Sequence, residues 1–269
     1  MSIGKLIGQG RTGEIYEWDK DKVLKLFFEG YPKTVVEYEY NISQKMVENK
    51  LPAPKVYDLI RQENRYGIVY ERVNGITMTK YIATKPWKVL RCAKMLAELH
   101  LSIQKAVDYD LPSFKDKLLE RIEEIDLVEA SIKERLKEYI RGLPGGNLLC
   151  HGDFHPDNIL ITNDKNFIID WVTVAKGNQL SEVARTMVIL EFAALPEQVA
   201  YFEKIMIGFI RKLFAKGYLK HYLRKTGVSL KEIRKWELPL VAVRLTEYPP
   251  QAEKDFLLRY LKENIESIC

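Results

Sequence analysis

Apolar and polar residues alternate in short runs over the first part of the chain, a pattern typical of β-strands. Residues 15–18 and 23–27 are two extended, apolar-rich runs, and the four charged residues at 19–22 between them predict a tight hairpin turn. A further strand is predicted at 66–70, followed by a turn at Asn74-Gly75. The pattern therefore predicts a small β-rich lobe at residues 1–73.

One helix is predicted inside this lobe. Residues 34–49 have the apolar spacing of a helix, and prolines follow at 52 and 54. Thr34 with Glu37 three positions later predicts a capping box. Glu39 falls within the apolar stripe of this helix, whereas Glu37 falls on the polar face. Because a buried carboxylate needs a cationic partner, we expect Glu39 to pair with Lys25 of the preceding strand.

The remainder of the chain reads mainly as helix. Residues 86–103 and 114–141 have helical spacing, and a stretch rich in glycine and proline closes the second segment at 142–146. This asymmetry predicts an α+β fold of two lobes that share a cleft. The predicted domains are a nucleotide-binding lobe at 1–73 and a larger, mainly helical catalytic and substrate lobe at 74–269.

Composition narrows the class of protein. Of the 269 residues, 46% are hydrophobic and 29% are charged, which is ordinary for a soluble globular chain. The net charge of +5 could indicate nucleic-acid binding, but lysine and arginine are interspersed with acids, so a solvated surface is the simpler explanation.

The apolar runs are of strand length, far short of a membrane span. The first residues lack the profile of a signal peptide. The three cysteines, Cys92, Cys150 and Cys269, are far apart, which predicts reduced thiols. We therefore expect a cytoplasmic protein without nucleic-acid or membrane partners.

Three glycines suggest a phosphate-binding loop. Gly8, Gly10 and Gly13 fit the spacing G-x-G-x-x-G, which serves both dinucleotide-binding and kinase-like sites. A dinucleotide fold needs a helix directly after the third glycine, but a β-favouring run follows here. A hairpin lid whose backbone N–H groups reach the phosphates is therefore favoured over that fold, with an ordinary turn as the alternative. Lys25 would grip the phosphates, or else face water on an edge strand.

The most specific segment is 148–160. It places an acid, Asp153, and an amide, Asn158, five residues apart between apolar runs, and Asp170 ends the next apolar run. Phosphoryl transfer needs an oriented acceptor hydroxyl and Mg²⁺ to neutralise charge on the transferring group. Asp153 suits the first task. Asn158 and Asp170 suit the second, because Mg²⁺ prefers oxygen ligands.

A zinc or iron site is the alternative use of this segment. It would be formed by His151, Asp153 and His155. That hypothesis leaves the glycine loop and the expected Lys25–Glu39 pair unexplained.

These motifs resemble those of the aminoglycoside phosphotransferase and choline kinase family, whose fold is similar to that of eukaryotic protein kinases. Residues 151–158 resemble the catalytic loop of the family and 169–171 its metal-binding segment. Residues 51–56, 70–75 and 96–100 resemble further parts of the family, so the likeness covers nearly the whole chain. The resemblance implies ATP or GTP as phosphoryl donor, Mg²⁺, and a small-molecule alcohol as acceptor.

The resemblance also implies individual roles. The adenine would hydrogen-bond to the backbone at Glu71 and Val73, and Tyr70 would line the back of the pocket. His151 would brace the catalytic loop. His155 would contact the γ-phosphate, or else only shape the loop.

Two features depart from the family pattern. The first strand is very short before the first glycine of the loop. Glu182 stands where many members of the family carry an aspartate.

The predicted function is transfer of the γ-phosphoryl group to a hydroxyl of a small molecule, which could be an aminoglycoside, a choline-like compound, a sugar, an amino alcohol or a nucleoside. Two alternatives are a catalytically silent, nucleotide-binding regulatory protein on the same fold, and a kinase that acts on protein or nucleic acid. An acidic cluster at 120–129 could attract a cationic acceptor, although a solvated helix explains it more simply. A choline-like acceptor calls for an aromatic cage, for which the candidates are Tyr218, Tyr222, Trp236 and Tyr248, although core or surface positions are the simpler expectation for each.

Overall fold

The computed structural model describes residues 3–194 and 200–268, and the chain divides into two compact units. The first unit combines Met1–Tyr81 with Pro156–Thr173, and the second combines Ile82–His155 with Val174–Cys269. A small antiparallel sheet at the amino-terminal end and a mainly helical remainder confirm the predicted α+β fold. The first unit thus takes in a segment from beyond residue 73, and the division into 1–73 and 74–269 stays a prediction.

The elements are numbered in chain order. The strands are β1 (Leu6–Gln9), β2 (Gly13–Asp19), β3 (Lys22–Phe27), β4 (Val56–Gln62), β5 (Arg65–Glu71), β6 (Ile76–Thr77), β7 (Leu148–Cys150), β8 (Ile159–Ile161), β9 (Asn166–Ile168) and β10 (Ala175–Gly177). The helices are α1 (Lys33–Glu48), α2 (Met78–Thr84), α3 (Val89–Ile103), α4 (Phe114–Glu123), α5 (Ala130–Gly142), α6 (Gln179–Phe192), α7 (Tyr201–Thr226), α8 (Leu230–Arg234), α9 (Glu237–Arg244) and α10 (Gln251–Asn264).

The main sheet of the first unit is antiparallel, in the order β1-β2-β3-β5-β4. Its β2–β3 hairpin confirms the predicted turn. Side chains alternate between the two faces, so Leu24 and Leu26 pack on one face, while Phe27 packs on the other with Val36 of α1. Lys25, two residues before Phe27, shares the face that α1 covers.

The predicted capping box at the start of α1 is wrong. The helix begins at Lys33, one residue earlier than predicted, so Thr34 lies inside the first turn and cannot act as the N-cap. The N-cap is Pro32, with no side-chain cap hydrogen bond. Glu37 instead forms an ion pair with Lys33, at 2.9 Å between Oε1 and Nζ.

The second unit is built around packed helices. α7 packs along α3 and α6, and α6 also packs on α9. The strand β7 pairs with β10, with Cys150 opposite Ala175, and the chain leaves β7 directly into His151. This short sheet therefore fixes the start of the predicted catalytic loop.

The segment predicted as one helix over 114–141 forms two helices, α4 and α5. After Glu123 the chain turns and buries Ile125, and the next helix begins at Ala130, with Glu129 in an extended conformation as the N-cap. No glycine or proline occurs between 124 and 129, so the break has no local signal. We attribute the break between α4 and α5 to the burial of Ile125 in the tertiary structure.

The aromatic residues considered for a cage do not form one. Tyr218, Tyr222 and Trp236 are fully buried in the core, whereas Tyr248 is 95% exposed. Their positions agree with the simpler expectation of core and surface roles. Cys92 and Cys150 are buried free thiols, and Cys269 lies outside the described residues.

Within 3–194 and 200–268, no helix combines the length and the apolar character that a membrane span requires.

Candidate active site

A buried ion pair links the main sheet to α1. The Lys25 Nζ donates to Glu39 Oε1 at 2.6 Å, and the Tyr70 hydroxyl donates to the same oxygen at 3.1 Å. Glu39 is only 4% exposed, so these two donors compensate for the water that it has lost. The predicted pairing of Lys25 with Glu39 is confirmed.

Lys25 also faces Asp170. The distance from the Lys25 Nζ to the Asp170 Oδ1 is 3.9 Å. Burial by itself would lower the pKa of Lys25, but the neighbouring Glu39 and Asp170 carboxylates raise it above its ordinary value. The side chain is therefore a fixed cation between two carboxylates, of which Asp170 is partly exposed.

Backbone geometry brings Asn158 and Asp170 to corresponding places in the β8–β9 hairpin. The Ile169 N–H, next to Asp170, donates to the Asn158 carbonyl at 3.0 Å. Asp170 has a φ of +65°, a left-handed conformation that aspartate and asparagine tolerate better than most residues. The pair offers one amide oxygen and one carboxylate oxygen, donors that fit Mg²⁺, an ion that takes few protein ligands and completes its shell with phosphate and water.

The structure gives no support to a zinc or iron site. Among the residues it describes, no three histidine, cysteine, aspartate or glutamate side chains are grouped as metal ligands. His151, Asp153 and His155 are bound instead to partners within the protein.

The three loop glycines have different surroundings in the β1–β2 hairpin. The Gly10 N–H donates to the Gly13 carbonyl at 2.8 Å, which closes the turn. A Cβ at Gly10 would have 3.8 Å to its nearest neighbour, whereas a Cβ at Gly13 would lie 2.5 Å from the Leu26 carbonyl oxygen. Gly13 is therefore required by the sheet, while Gly8 and Gly10 have room for a methyl group.

This difference predicts opposite effects of two alanine substitutions. Gly13→Ala should lower the free energy of unfolding by roughly 1–3 kcal/mol, because backbone atoms must move to admit the Cβ. Gly10→Ala should leave the melting temperature unchanged and raise the KM for ATP, by about fivefold if one phosphate hydrogen bond of about 1 kcal/mol is lost. Thermal unfolding and ATP titration of both variants check this. An unchanged KM in Gly10→Ala would argue against the loop as a phosphate lid.

Some backbone groups at the end of β5 and just after it already form hydrogen bonds within the protein. The Glu71 N–H donates to the Lys55 carbonyl at 2.8 Å, and the Val73 carbonyl accepts from the Gly75 N–H at 2.9 Å. The Glu71 carbonyl and the Val73 N–H take no part in these bonds, and the expected contacts of a nucleobase with the backbone at Glu71 and Val73 stay a prediction. The Glu71 side chain has a structural use, because its Oε2 accepts from the Lys55 N–H at 3.0 Å.

In the second unit, Asp153 lies among cationic groups. The His155 Nε2 is 3.3 Å from Asp153 Oδ2, and the Arg185 Nη2 is 3.7 Å from Asp153 Oδ1. Burial would raise the pKa of Asp153, but the hydrogen bond from His155 and the charges of His155, Arg185 and His151 hold it well below its usual range. The side chain is thus held in its carboxylate form.

The predicted catalytic loop is braced by buried side chains. The Asp153 N–H donates to His151 Nδ1 at 3.3 Å, in agreement with the bracing role expected of His151. From α6, both carboxylate oxygens of Glu182 accept the Gly152 N–H at 3.1 Å, and the Thr186 hydroxyl donates to the Phe154 carbonyl at 2.8 Å. Burial raises the pKa of Glu182 to about 7. Glu182, noted above as a departure from the family pattern, therefore holds the loop through the Gly152 N–H.

Sequence reasoning missed Arg185 and its partner Glu247. The Arg185 Nε donates to the Gly152 carbonyl at 3.2 Å, and its Nη2 donates to Glu247 Oε1 at 2.5 Å. A signal was present, because Glu182 and Arg185 are charges three residues apart in a mostly apolar helix. The identity of Glu247 as partner had no local signal.

Comparison with known proteins agrees with this architecture. Residues 5–205 match the sequence model of the phosphotransferase enzyme family. The structure of aminoglycoside phosphotransferase APH(4)-Ia is 17% identical, with a TM-score of 0.66, 99% of this chain covered and 93% of that chain. The amicoumacin kinase hAmiN is 14% identical, with a TM-score of 0.63, 98% of this chain covered and 88% of that chain. A choline/ethanolamine kinase family protein from Mesorhizobium loti is 14% identical, with a TM-score of 0.58, 99% of this chain covered and 88% of that chain. At these identities the structures establish the fold alone. No curated protein matches the chain.

Proposed function

Because the chain belongs to the phosphotransferase enzyme family, we propose that it transfers the γ-phosphoryl group of ATP to a hydroxyl group of a small molecule. The observation that carries the proposal is the position of Lys25, held at 2.6 Å from the Glu39 carboxylate and at 3.9 Å from the Asp170 carboxylate. A strand lysine fixed by a helix glutamate beside a metal-binding aspartate is the arrangement that kinases use to hold a triphosphate.

The first unit supplies the residues for nucleotide binding. Lys25 would bind phosphate oxygens, together with the backbone N–H groups of the loop at 8–13. The Glu71 carbonyl and the Val73 N–H would bind the base, and Tyr70 would lie behind it. Asn158 and Asp170 would hold Mg²⁺, which when bound would supply positive charge to the phosphate oxygens. In support, the amicoumacin kinase structure is a complex with AMP-PNP and Ca²⁺.

The second unit supplies the residue for the acceptor. Asp153 would accept a hydrogen bond from the acceptor hydroxyl and direct a lone pair of its oxygen at the γ-phosphorus. As that O–P bond forms, the bond between the γ-phosphorus and the β–γ bridging oxygen breaks, and the electron pair leaves with ADP. The hydroxyl proton becomes strongly acidic as the O–P bond forms, so it would pass transiently to the weakly basic Asp153 and from there to solvent. His155, which contacts Asp153 here, would turn toward the γ-phosphate.

The acceptor is proposed only as a class, a small molecule with an alcohol group. Related structures include complexes with hygromycin B and with streptomycin, and a choline/ethanolamine kinase family protein. Aminoglycosides, amino alcohols and sugars therefore form the first set of compounds to test.

An ADP-release assay over a library of alcohols, with ATP and with GTP as donors, tests the proposal. We expect ADP release that depends on one class of acceptor, and a phosphate ester in the product by phosphorus NMR. Tight ATP binding with no ADP release for any acceptor would contradict the proposal and favour a silent regulatory protein. Phosphorylation of peptides but not of small molecules would favour a protein kinase.

A further inference from the structure

Arg185 lies on α6 beneath the catalytic loop and contacts it at two points. Its Nε donates to the Gly152 carbonyl at 3.2 Å, and its Nη2 lies 3.7 Å from Asp153 Oδ1. The side chain is only 7% exposed. The guanidinium therefore touches both the backbone and the side chain of the segment that presents Asp153.

Stability alone does not explain this arginine. Its Nη1 is buried and has no hydrogen-bond partner among the residues that the structure describes. A buried cation is costly to desolvate, and an unsatisfied donor on it adds a penalty of about 1–3 kcal/mol. A fold that needed only packing at this place would be served as well by an apolar side chain of similar volume.

The guanidinium is also fixed from behind. Its Nη2 donates to Glu247 Oε1 at 2.5 Å, and the same oxygen accepts from Arg121 Nη1 at 2.9 Å. The other oxygen of Glu247 accepts from Arg244 Nη1 at 2.6 Å, and Arg244 Nε donates to Glu253 Oε1 at 2.8 Å. Glu247, which Arg244 holds through its other oxygen, thus limits the positions that the Arg185 guanidinium can adopt, with or without Arg121.

We infer that Arg185 is a positioning residue for phosphoryl transfer, which sets the direction of the Asp153 carboxylate by holding Gly152 and Asp153 at the same time. The inference rests on the proposed role of Asp153. A planar fork with several donors can bind a carbonyl and two carboxylates in one orientation, which a lysine or an apolar side chain cannot do. Misplacement of a reacting group by about 1 Å can cost on the order of 10²-fold in rate.

The test compares Arg185→Met, Arg185→Lys and Arg121→Met. Arg121 is the matched control, because it is bound to the same Glu247 oxygen from α4. We expect Arg185→Met to lower kcat by about 10²-fold, with the KM values for ATP and acceptor within about twofold of the parent. Arg185→Lys should recover part of the loss, about tenfold, because it restores the charge without the fork. Arg121→Met should stay within about threefold of the parent, since it leaves the contacts to the loop intact.

Amide hydrogen exchange of residues 150–155 gives a readout that does not depend on the acceptor. We expect faster exchange at Gly152 and Asp153 in Arg185→Met than in Arg121→Met, because Arg185 holds the loop through the Gly152 carbonyl. Unchanged exchange, or equal losses of kcat in both variants, would overturn the inference. If the parent transfers no phosphate to any acceptor, the proposed function fails, and the exchange measurement by itself decides whether Arg185 positions the loop.

Discussion

Replacing Asp153 with asparagine is expected to lower kcat by about 10²–10⁴-fold, the usual contribution of a positioned acid or base. The amide has nearly the shape of the carboxylate, so the contacts to the loop change little, but it cannot accept the proton that the acceptor hydroxyl must lose. It also removes the negative charge beside His155 and Arg185, which lie 3.3 and 3.7 Å from the carboxylate oxygens. The measurement is single-turnover ADP formation at saturating acceptor.

ATP binding should survive this substitution. Lys25, Glu39 and Asp170 all lie in the first unit and contact one another, whereas Asp153 belongs to the second unit. Calorimetric titration with a non-hydrolysable ATP analogue should therefore give the parental affinity within about twofold, about 0.4 kcal/mol. Asp164→Asn, the same change on an exposed turn, serves as the control. Parental turnover in Asp153→Asn would show that another group orients the acceptor.

The sequence predicts best where periodicity decides which side chains are buried. The pairing of Lys25 with Glu39 could be predicted because strand alternation and helical spacing both turn these residues inward, and two buried opposite charges have few other partners. The contact of Tyr70 with the same carboxylate was not predicted, because it depends on the pairing of β5 beside β3. Register of this kind is set by the whole sheet.

The sequence predicts least where elements distant along the chain meet. Arg121, Arg185 and Glu247 come from three separate elements of the second unit, and nothing local to any of them identifies the others. The prediction of a single helix over 114–141 was wrong for a related reason, because α4 ends before the buried Ile125 without any helix-breaking residue. Charges embedded in an apolar helix, as in α6, are the signal that could have directed attention to this cluster.

The second large loss of activity is expected from substitution of Asp170. Asp170→Asn is expected to lower kcat by about 10²–10³-fold, the usual cost of losing one group that stabilises charge on a transferring phosphoryl group. Unlike the loss in Asp153→Asn, part of this loss should be recovered at high Mg²⁺ concentration, because an amide oxygen is a weaker ligand than a carboxylate and not an absent one. The measurement is kcat as a function of Mg²⁺ concentration, with Asp164→Asn as the matched control.

Two substitutions at Asp170 distinguish the effect of losing its charge from the effect of straining its backbone. Its φ of +65° is tolerated by asparagine, so Asp170→Asn should melt close to the parent, whereas alanine in this left-handed conformation should cost roughly 1–2 kcal/mol of stability. Equal catalytic losses in the two variants, with a lower melting temperature only in Asp170→Ala, would assign the effect to the carboxylate. A Mg²⁺ dependence identical to that of the parent in Asp170→Asn would remove Asp170 from the metal site. The residues left to explain ATP binding would then be Lys25 and the glycine loop, a set that can hold phosphates but has no carboxylate to hold the ion that neutralises them.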